Sequence, residues 1–195
     1  SQKYIGQYFN STEGRKLLIR ATFQQAKEDG VTVLEIGEDV WGLKEFFHND
    51  IDELVESFTS AQREIAPEIE LRLQIGLSRH CPISYLEDCL SYFWGNKNFY
   101  SIDLYGDEFA QPIENFKGIY RRAKKEGLRL KAHVGEWGTA KDIRTAVEEL
   151  ELDEVQHGIA AAGDESVIRF LAENKIRLNI TPMSNVLLGR VIRQI

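Results

Sequence analysis

Short β-branched runs alternate with amphipathic segments along this chain, and that alternation restricts the fold more than any other feature. The runs are short and apolar, which is typical of buried strands. Six occur: Val31–Ile36, Leu71–Leu77, Tyr100–Leu104, Leu128–His133, Glu154–His157 and Ile176–Ile180. The segments between them carry apolar residues at three- and four-residue spacing, which predicts helices. These are Gly14–Asp29, Asp52–Ile65, Ile83–Phe93, Pro112–Glu126, Thr139–Leu150 and Asp164–Asn174.

Polar residues follow most of the predicted strands, and this placement favours one α/β architecture. They include Glu38 and Asp39, Arg79 and His80, Asp107 and Glu108, His133 and Glu136, His157, and Ser184 and Asn185. A (β/α)8 TIM-type barrel carries its active residues at these strand ends, and a complete barrel has eight strands in about 250 residues. We therefore predict a single partial barrel domain over residues 1–195, with about six βα units and the first and last strands missing. An open doubly wound sheet is the structural alternative, although no glycine-rich nucleotide fingerprint is present.

Composition excludes several classes of partner. The net charge is -7, and the one basic cluster, at residues 121–125, suits the end of a helix, so we expect no nucleic-acid partner. No apolar run approaches 18 residues, and Ser1–Ile5 does not resemble a signal peptide, so we expect no membrane association. Two cysteines, Cys81 and Cys89, are too few for a disulfide framework and are predicted to be thiols of a cytoplasmic protein.

The motifs His133-Val134-Gly135-Glu136 and His157-Gly158 end two successive predicted strands. A histidine at a strand end can ligate a divalent metal, most often zinc, and Glu136 can act as a proton shuttle across a pocket. The structural alternative is a histidine bonded to neighbouring backbone beside a solvated glutamate. Two histidines at neighbouring strand ends favour the functional interpretation.

Two further strand ends carry candidate residues. Gly106 can present a backbone N–H to a ligand, whereas Asp107 and Glu108 either bind substrate or simply begin the loop. Ser184-Asn185, after Thr181-Pro182, is either a ligand-facing turn or a helix cap, and the spacing favours the cap.

Four segments together resemble the adenosine deaminase family, within the amidohydrolase superfamily of metal-dependent (β/α)8 barrels. They are residues 101–108 (SIDLYGDE), 131–136 (KAHVGE), 155–158 (VQHG) and 181–186 (TPMSNV). The resemblance implies that His133 is a zinc ligand and that Glu136 protonates a ring nitrogen of the purine. It further implies that His157 orients the zinc-bound water and removes its proton, and that Gly106 contacts the purine. The implied reaction is hydrolytic deamination of a purine nucleoside, adenosine giving inosine and ammonia.

Two elements of the family pattern are missing from the sequence. The family places a His-x-His pair after its first strand and an Asp-Asp pair after its last. Here the histidines are His48, His80, His133 and His157, no two are separated by one residue, and no Asp-Asp pair occurs. We expect a piece of a longer deaminase; the alternative is a truncated barrel without metal that only binds a nucleoside or a protein partner.

The substrate and the oligomeric state stay open at this point. Residues 36–41 (IGEDVW) depart from the family pattern, so another aminopurine or amino-heterocycle is the alternative substrate. The segments 102–104 and 106–108 are closer to adenosine deaminases than to adenine deaminases. If the chain exists alone, its outermost strands are unpaired edges, and aggregation or oligomerisation is expected.

Overall fold

The computed structural model describes residues 11–189. The strands are β1 Val33–Asp39, β2 Glu70–Ser78, β3 Phe99–Tyr105, β4 Arg129–Val134, β5 Glu154–His157 and β6 Arg177–Asn179. The helices are α1 Thr12–Glu28, α2 Val40–Phe47, α3 Ile51–Ile65, α4 Ile83–Leu90, α5 Lys117–Glu126, α6 Ala140–Leu150, α7 Glu165–Glu173 and α8 Pro182–Leu187. Two 3-10 turns, Ile113–Phe116 and Ile159–Gly163, precede α5 and α7. The expectation about the signal peptide at Ser1–Ile5 lies outside the described residues.

The six strands form one parallel sheet in the order β1-β2-β3-β4-β5-β6. Each strand is followed by helical structure, so the chain consists of consecutive βα units. A doubly wound sheet reverses its strand order at a switch point, and this sheet does not, so that alternative is wrong. The expected fold class, about six units of a (β/α)8 barrel, is confirmed.

The chain divides into two compact units. The first contains Ser1–Ile75 and Ser84–Tyr100. In this unit α1 packs against α3, and the interior is formed by fully buried side chains such as Phe23, Phe47 and Leu54. The helix α2, which the periodicity did not predict, buries Val40, Leu43 and Phe47 in the same interior.

The second unit contains Gly76–Ile83 and Ser101–Ile195. Its strand register pairs Leu104 with Ala132 and Val134 with His157. Because neighbouring parallel strands end at the same edge of a sheet, this register places the two histidine motifs side by side. The helices α6 and α7 begin directly after the N-cap residues Thr139 and Asp164, whose side chains accept backbone hydrogen bonds.

Two features bear on the composition arguments. Cys81 and Cys89 are thiols and are not joined in a disulfide. Across residues 11–189, every helix is too short or too polar to cross a bilayer.

Candidate active site

His133, the fifth residue of β4, is oriented by a carboxylate on the neighbouring strand. Its Nδ1 atom lies 3.2 Å from Oδ1 of Asp103, a β3 residue that is 2% exposed. Burial lowers the pKa of His133, but the hydrogen bond to Asp103 and its negative charge outweigh burial and raise that pKa above its ordinary value. The carboxylate therefore fixes the ring orientation and favours a proton on it.

His157 ends β5 with its backbone in the left-handed region, at φ 66°. This conformation is uncommon for a residue with a Cβ and is concentrated at functional sites. Its Nδ1 atom lies 2.9 Å from Oγ1 of Thr181 and 3.6 Å from Oε1 of Glu136. Burial lowers the pKa of His157, and the nearby His133 lowers it further, against the opposing charge of Glu136.

The loop after β4 brings Glu136 to the two histidines. Gly135 has φ 74°, which turns the chain directly after Val134, and a Cβ there would lie 2.4 Å from Cδ1 of Ile143. The Glu136 side chain is 15% exposed, and the rings of His133 and His157 have centroids 5.3 Å apart. One carboxylate and two imidazoles thus converge, and the pKa values of the two imidazoles are shifted in opposite directions. Such a group can hold and transfer a proton.

Gly106 directly follows β3, the strand that pairs with β4. The ring of Tyr105, which precedes it, has its centroid 6.1 Å from that of His133. Gly106 has φ 104°, and a Cβ on it would lie 3.2 Å from Cδ2 of His80. The position therefore requires glycine, and its backbone follows the strand end beside the histidine cluster.

Three contacts in this site were not predicted from the sequence. Asp103 has no role in the sequence-based prediction, although a charged residue inside the apolar run Ile102–Leu104 is a signal for one. Thr181, the partner of His157, had no such signal. Glu108 was considered only as a substrate contact or loop residue, yet its carboxylate accepts hydrogen bonds from the loop that carries Glu136.

The interpretation of Ser184-Asn185 as a helix cap is wrong. The helix α8 begins at Pro182 with Thr181 in the N-cap position, so both residues lie within the helix. Asn185 is 1% exposed, and its amide has no hydrogen-bond partner among the described residues. Pro182 at the first position makes an early helix start favourable, because its fixed φ suits the first turn.

The described residues do not form a metal centre by themselves. Between residues 11 and 189, no three His, Cys, Asp or Glu side chains are grouped so as to hold a metal ion. A catalytic zinc site takes three protein ligands, and the resemblance assigns only His133 to that role. The donor set present here does not fit a complete metal site.

These observations define a protein with six βα units of a (β/α)8 barrel and an acid–base cluster at the carboxyl ends of β4 and β5. The chain belongs to the adenosine deaminase family, whose family model matches residues 3–194.

Individual relatives cover most of this chain. The putative adenosine/adenine deaminase of Treponema pallidum (strain Nichols) is 38% identical over 174 residues, which is 89% of this chain and 58% of the relative. The adenine deaminase of Rhodopseudomonas palustris (strain BisB18) is 29% identical over 204 residues, which is 97% of this chain and 58% of the relative. The chain thus spans 58% of the length of these two curated relatives.

Solved structures support the fold. The crystal structure of an adenine deaminase from Arthrobacter aurescens has a TM-score of 0.79 at 24% identity, over 93% of this chain and 56% of that one. An amidohydrolase from Burkholderia ambifaria with bound Zn also has a TM-score of 0.79, at 20% identity, over 94% of this chain and 52% of that one.

Proposed function

We propose that this chain supplies the proton-transfer half of a purine deaminase active site. The reaction adds water at C6 of the purine, breaks the bond from C6 to the exocyclic nitrogen and releases ammonia. The observation that carries the proposal is the 3.6 Å approach of Oε1 of Glu136 to Nδ1 of His157, beside His133.

Each residue has a separate task in this scheme. Glu136 delivers a proton to the ring nitrogen next to C6, which makes that carbon more electrophilic. His157, held by Thr181, orients the attacking water and accepts its proton. The backbone N–H of Gly106 binds the purine ring and sets its position relative to Glu136.

A bound divalent metal would supply Lewis-acid chemistry at the attacking water. We propose that His133 is one ligand and that the others come from polypeptide outside these 195 residues. The relatives support this, since the chain spans 58% of their length, and the Burkholderia amidohydrolase contains Zn.

The proposed substrate is a small aminopurine in the cytoplasm, with adenosine preferred on the segments 102–104 and 106–108. Adenine is the second candidate, because several relatives carry the name adenine deaminase. A nucleoside presents a ribose beyond the purine ring and a free base does not. Parallel assays with adenosine, adenine and AMP therefore distinguish the candidates.

The test begins with the intact mass of the purified protein, followed by chromatographic detection of the deaminated purine and of ammonia. We expect a mass above 22.4 kDa and turnover of an aminopurine. Replacement of Glu136→Gln should lower kcat by about 10²–10⁴-fold, the usual contribution of a proton-transfer group. Glu87→Gln, at an exposed position of α4, is the matched control and should keep the wild-type rate.

Two results would contradict the proposal. A mass of 22.4 kDa with no turnover would show that the protein lacks the remaining ligands and is not a deaminase by itself. Full activity of E136Q would remove Glu136 from the reaction.

A further inference from the structure

The carboxylate of Glu108 accepts hydrogen bonds from three consecutive backbone N–H groups. Oε2 accepts from Gly135 N at 2.7 Å, and Oε1 accepts from Glu136 N at 2.9 Å and from Trp137 N at 2.8 Å. Glu108 is 7% exposed, so these bonds are largely shielded from water. Hydrogen bonds to an ionised, buried acceptor are about twice as strong as neutral ones.

Packing does not hold this loop on all sides. A cavity of about 290 Å³ lies beside it, lined by Val134 at the end of β4, by Gly138 in the loop, and by Glu108, Arg79 and Asp142 among others. A glycine at 135, which lacks a side chain, contributes no anchor of its own. The Glu108 carboxylate supplies the acceptors for the backbone N–H groups of residues 135–137, and Ala160 N donates to the carbonyl of Gly135 at 3.0 Å.

The segment that carries Glu108 is itself fixed to the end of β2. The Gln111 side chain donates to the carbonyl oxygens of Arg79 at 2.7 Å and Cys81 at 2.8 Å. In return, Nε of Arg79 donates to the carbonyl of Gln111 at 3.0 Å. Three hydrogen bonds thus hold the loop after β3 on both sides of the β2 end. Glu108 therefore lies on a loop whose backbone is held in place by hydrogen bonds.

Glu108 also stands two residues after Gly106. One short segment therefore contains the backbone N–H proposed to bind the purine and the side chain that holds the Glu136 loop. A purine ring has a fixed spacing between its nitrogen atoms, so both contacts form only if the two loops keep one relative position.

We propose that Glu108 is a positioning residue, whose carboxylate fixes the loop carrying Glu136 relative to Gly106. This inference rests on the proposed function for the role of Glu136. The three hydrogen bonds from residues 135–137 to Glu108, here called the tether, do not depend on that function. A carboxylate is required because three donors face it. In Glu108→Gln one acceptor oxygen becomes an NH₂ group, which faces N–H donors and leaves at least one of them without an acceptor.

The tether is tested by amide hydrogen exchange, which does not depend on activity. In Glu108→Gln, we expect the amides of residues 135–137 to exchange at least about tenfold faster, with the amides of β4 and β5 unchanged. The matched control is Glu114→Gln. Glu114 lines the same cavity and is exposed, and within residues 11–189 its carboxylate makes no hydrogen bond. This control should leave the exchange of 135–137 as in the wild type.

The positioning role is tested by a double-mutant cycle on deamination. We expect Glu108→Gln to lower kcat by about 100-fold, the cost of a small misplacement of a reacting group, with little change in KM. In a Glu136→Gln background the same substitution should cost almost nothing further, because the group it positions is already gone. A loss of folded protein would instead act equally in both backgrounds.

The outcomes separate this inference from the proposed function. Unchanged exchange at 135–137 in E108Q, or an equal acceleration throughout the sheet, would overturn the tether. Additive losses in the cycle would overturn the positioning role. A wild-type protein that deaminates no purine would refute the proposed function, while the exchange experiment would still decide whether Glu108 holds the loop.

Discussion

Oγ1 of Thr181 lies 2.9 Å from Nδ1 of His157, and this contact joins the end of β5 to the start of α8. The two residues are separated by 24 positions in the sequence. Since Nδ1 of His157 is also 3.6 Å from Glu136, the threonine hydroxyl determines how the imidazole faces the proposed proton donor. A single neutral hydrogen bond therefore contributes to the geometry of the whole cluster.

Thr181→Val keeps the shape of the side chain and removes its hydroxyl. We expect kcat for deamination to fall about tenfold, which corresponds to the loss of one hydrogen bond of about 1.4 kcal/mol. Thr181→Ser, which retains the hydroxyl, should stay close to the wild-type rate. Equal rates for T181V and the wild type would show that the contact does not orient His157.

Glu154 forms the centre of a buried charged cluster near the start of β5. It is 2% exposed and lies within 3.6 Å of Nζ of Lys131, which is itself buried, and its Oε2 accepts from Asn179 at 3.0 Å. Glu154→Gln removes the buried negative charge beside the buried Lys131 ammonium, so we expect a loss of about 3 kcal/mol in the free energy of unfolding. Urea denaturation measures this loss.

The control for that substitution is Glu151→Gln. Glu151 also pairs with a lysine, Lys124, but both side chains are more than half exposed. Exposed pairs contribute little, because water screens them, so the unfolding midpoint should not move. Similar midpoints for E154Q and E151Q would contradict the assigned importance of burial.

Much of the fold could be predicted from the sequence, because buried positions of strands and helices recur at regular intervals and carry apolar residues. The six strands follow from short apolar runs, and most of the helices from three- and four-residue spacing. The helix α2 was missed for identifiable reasons. It has eight residues, most of them apolar, and its N-cap Asp39 makes no side-chain capping bond. Neither a one-sided apolar stripe nor a cap marks it in the sequence.

The candidate site could be predicted only where its residues are close in sequence. His133 and Glu136 are three residues apart. They lie at the end of a predicted strand, with Gly135 between them, and this pattern predicts their role. The contacts that orient them join residues far apart: Asp103 and His133 are separated by 30 positions, and Glu108 and Gly135 by 27. Such pairs depend on strand register, which local spacing does not reveal.

Asp39 makes the stability of the first unit depend on pH. Burial raises the pKa of this carboxyl to about 7, with a further contribution from the negative charge of Glu38. The unfolded value is near 3.8, so between about pH 4 and pH 7 the folded state binds more protons than the unfolded state. The free energy of unfolding contributed by Asp39 therefore falls as pH rises through this window.

Asp39→Asn removes that titration. The difference in free energy of unfolding between D39N and the wild type should grow in favour of D39N as the pH rises from 4 to 8. The expected increase is about 2 kcal/mol, after allowance for the partial exposure of the group. Urea denaturation of both proteins at a series of pH values measures the difference, in which the titrations of groups that do not interact with Asp39 cancel. A difference that does not vary with pH would contradict the raised pKa of Asp39.

Gly135 combines two requirements that no other residue meets easily. Its φ of 74° lies in the left-handed region, and a Cβ would come within 2.4 Å of Cδ1 of Ile143. We expect Gly135→Ala to lower the free energy of unfolding by about 1–3 kcal/mol, from backbone strain and overpacking together. Thermal unfolding measures this loss, with Gly163→Ala as the control, because a Cβ at Gly163 meets no atom within 4 Å.

The two contributions at Gly135 can be separated with Ile143→Ala, which removes both Cδ1 and Cγ1, the atoms that a Cβ at 135 would meet at 2.4 Å and 2.5 Å. In this background Gly135→Ala should cost less than in the wild type, because only the backbone strain remains. An identical cost in both backgrounds would assign the whole effect to φ. A cost close to that of Gly163→Ala would mean that the loop relaxes, and that the turn into Glu136 does not depend on glycine.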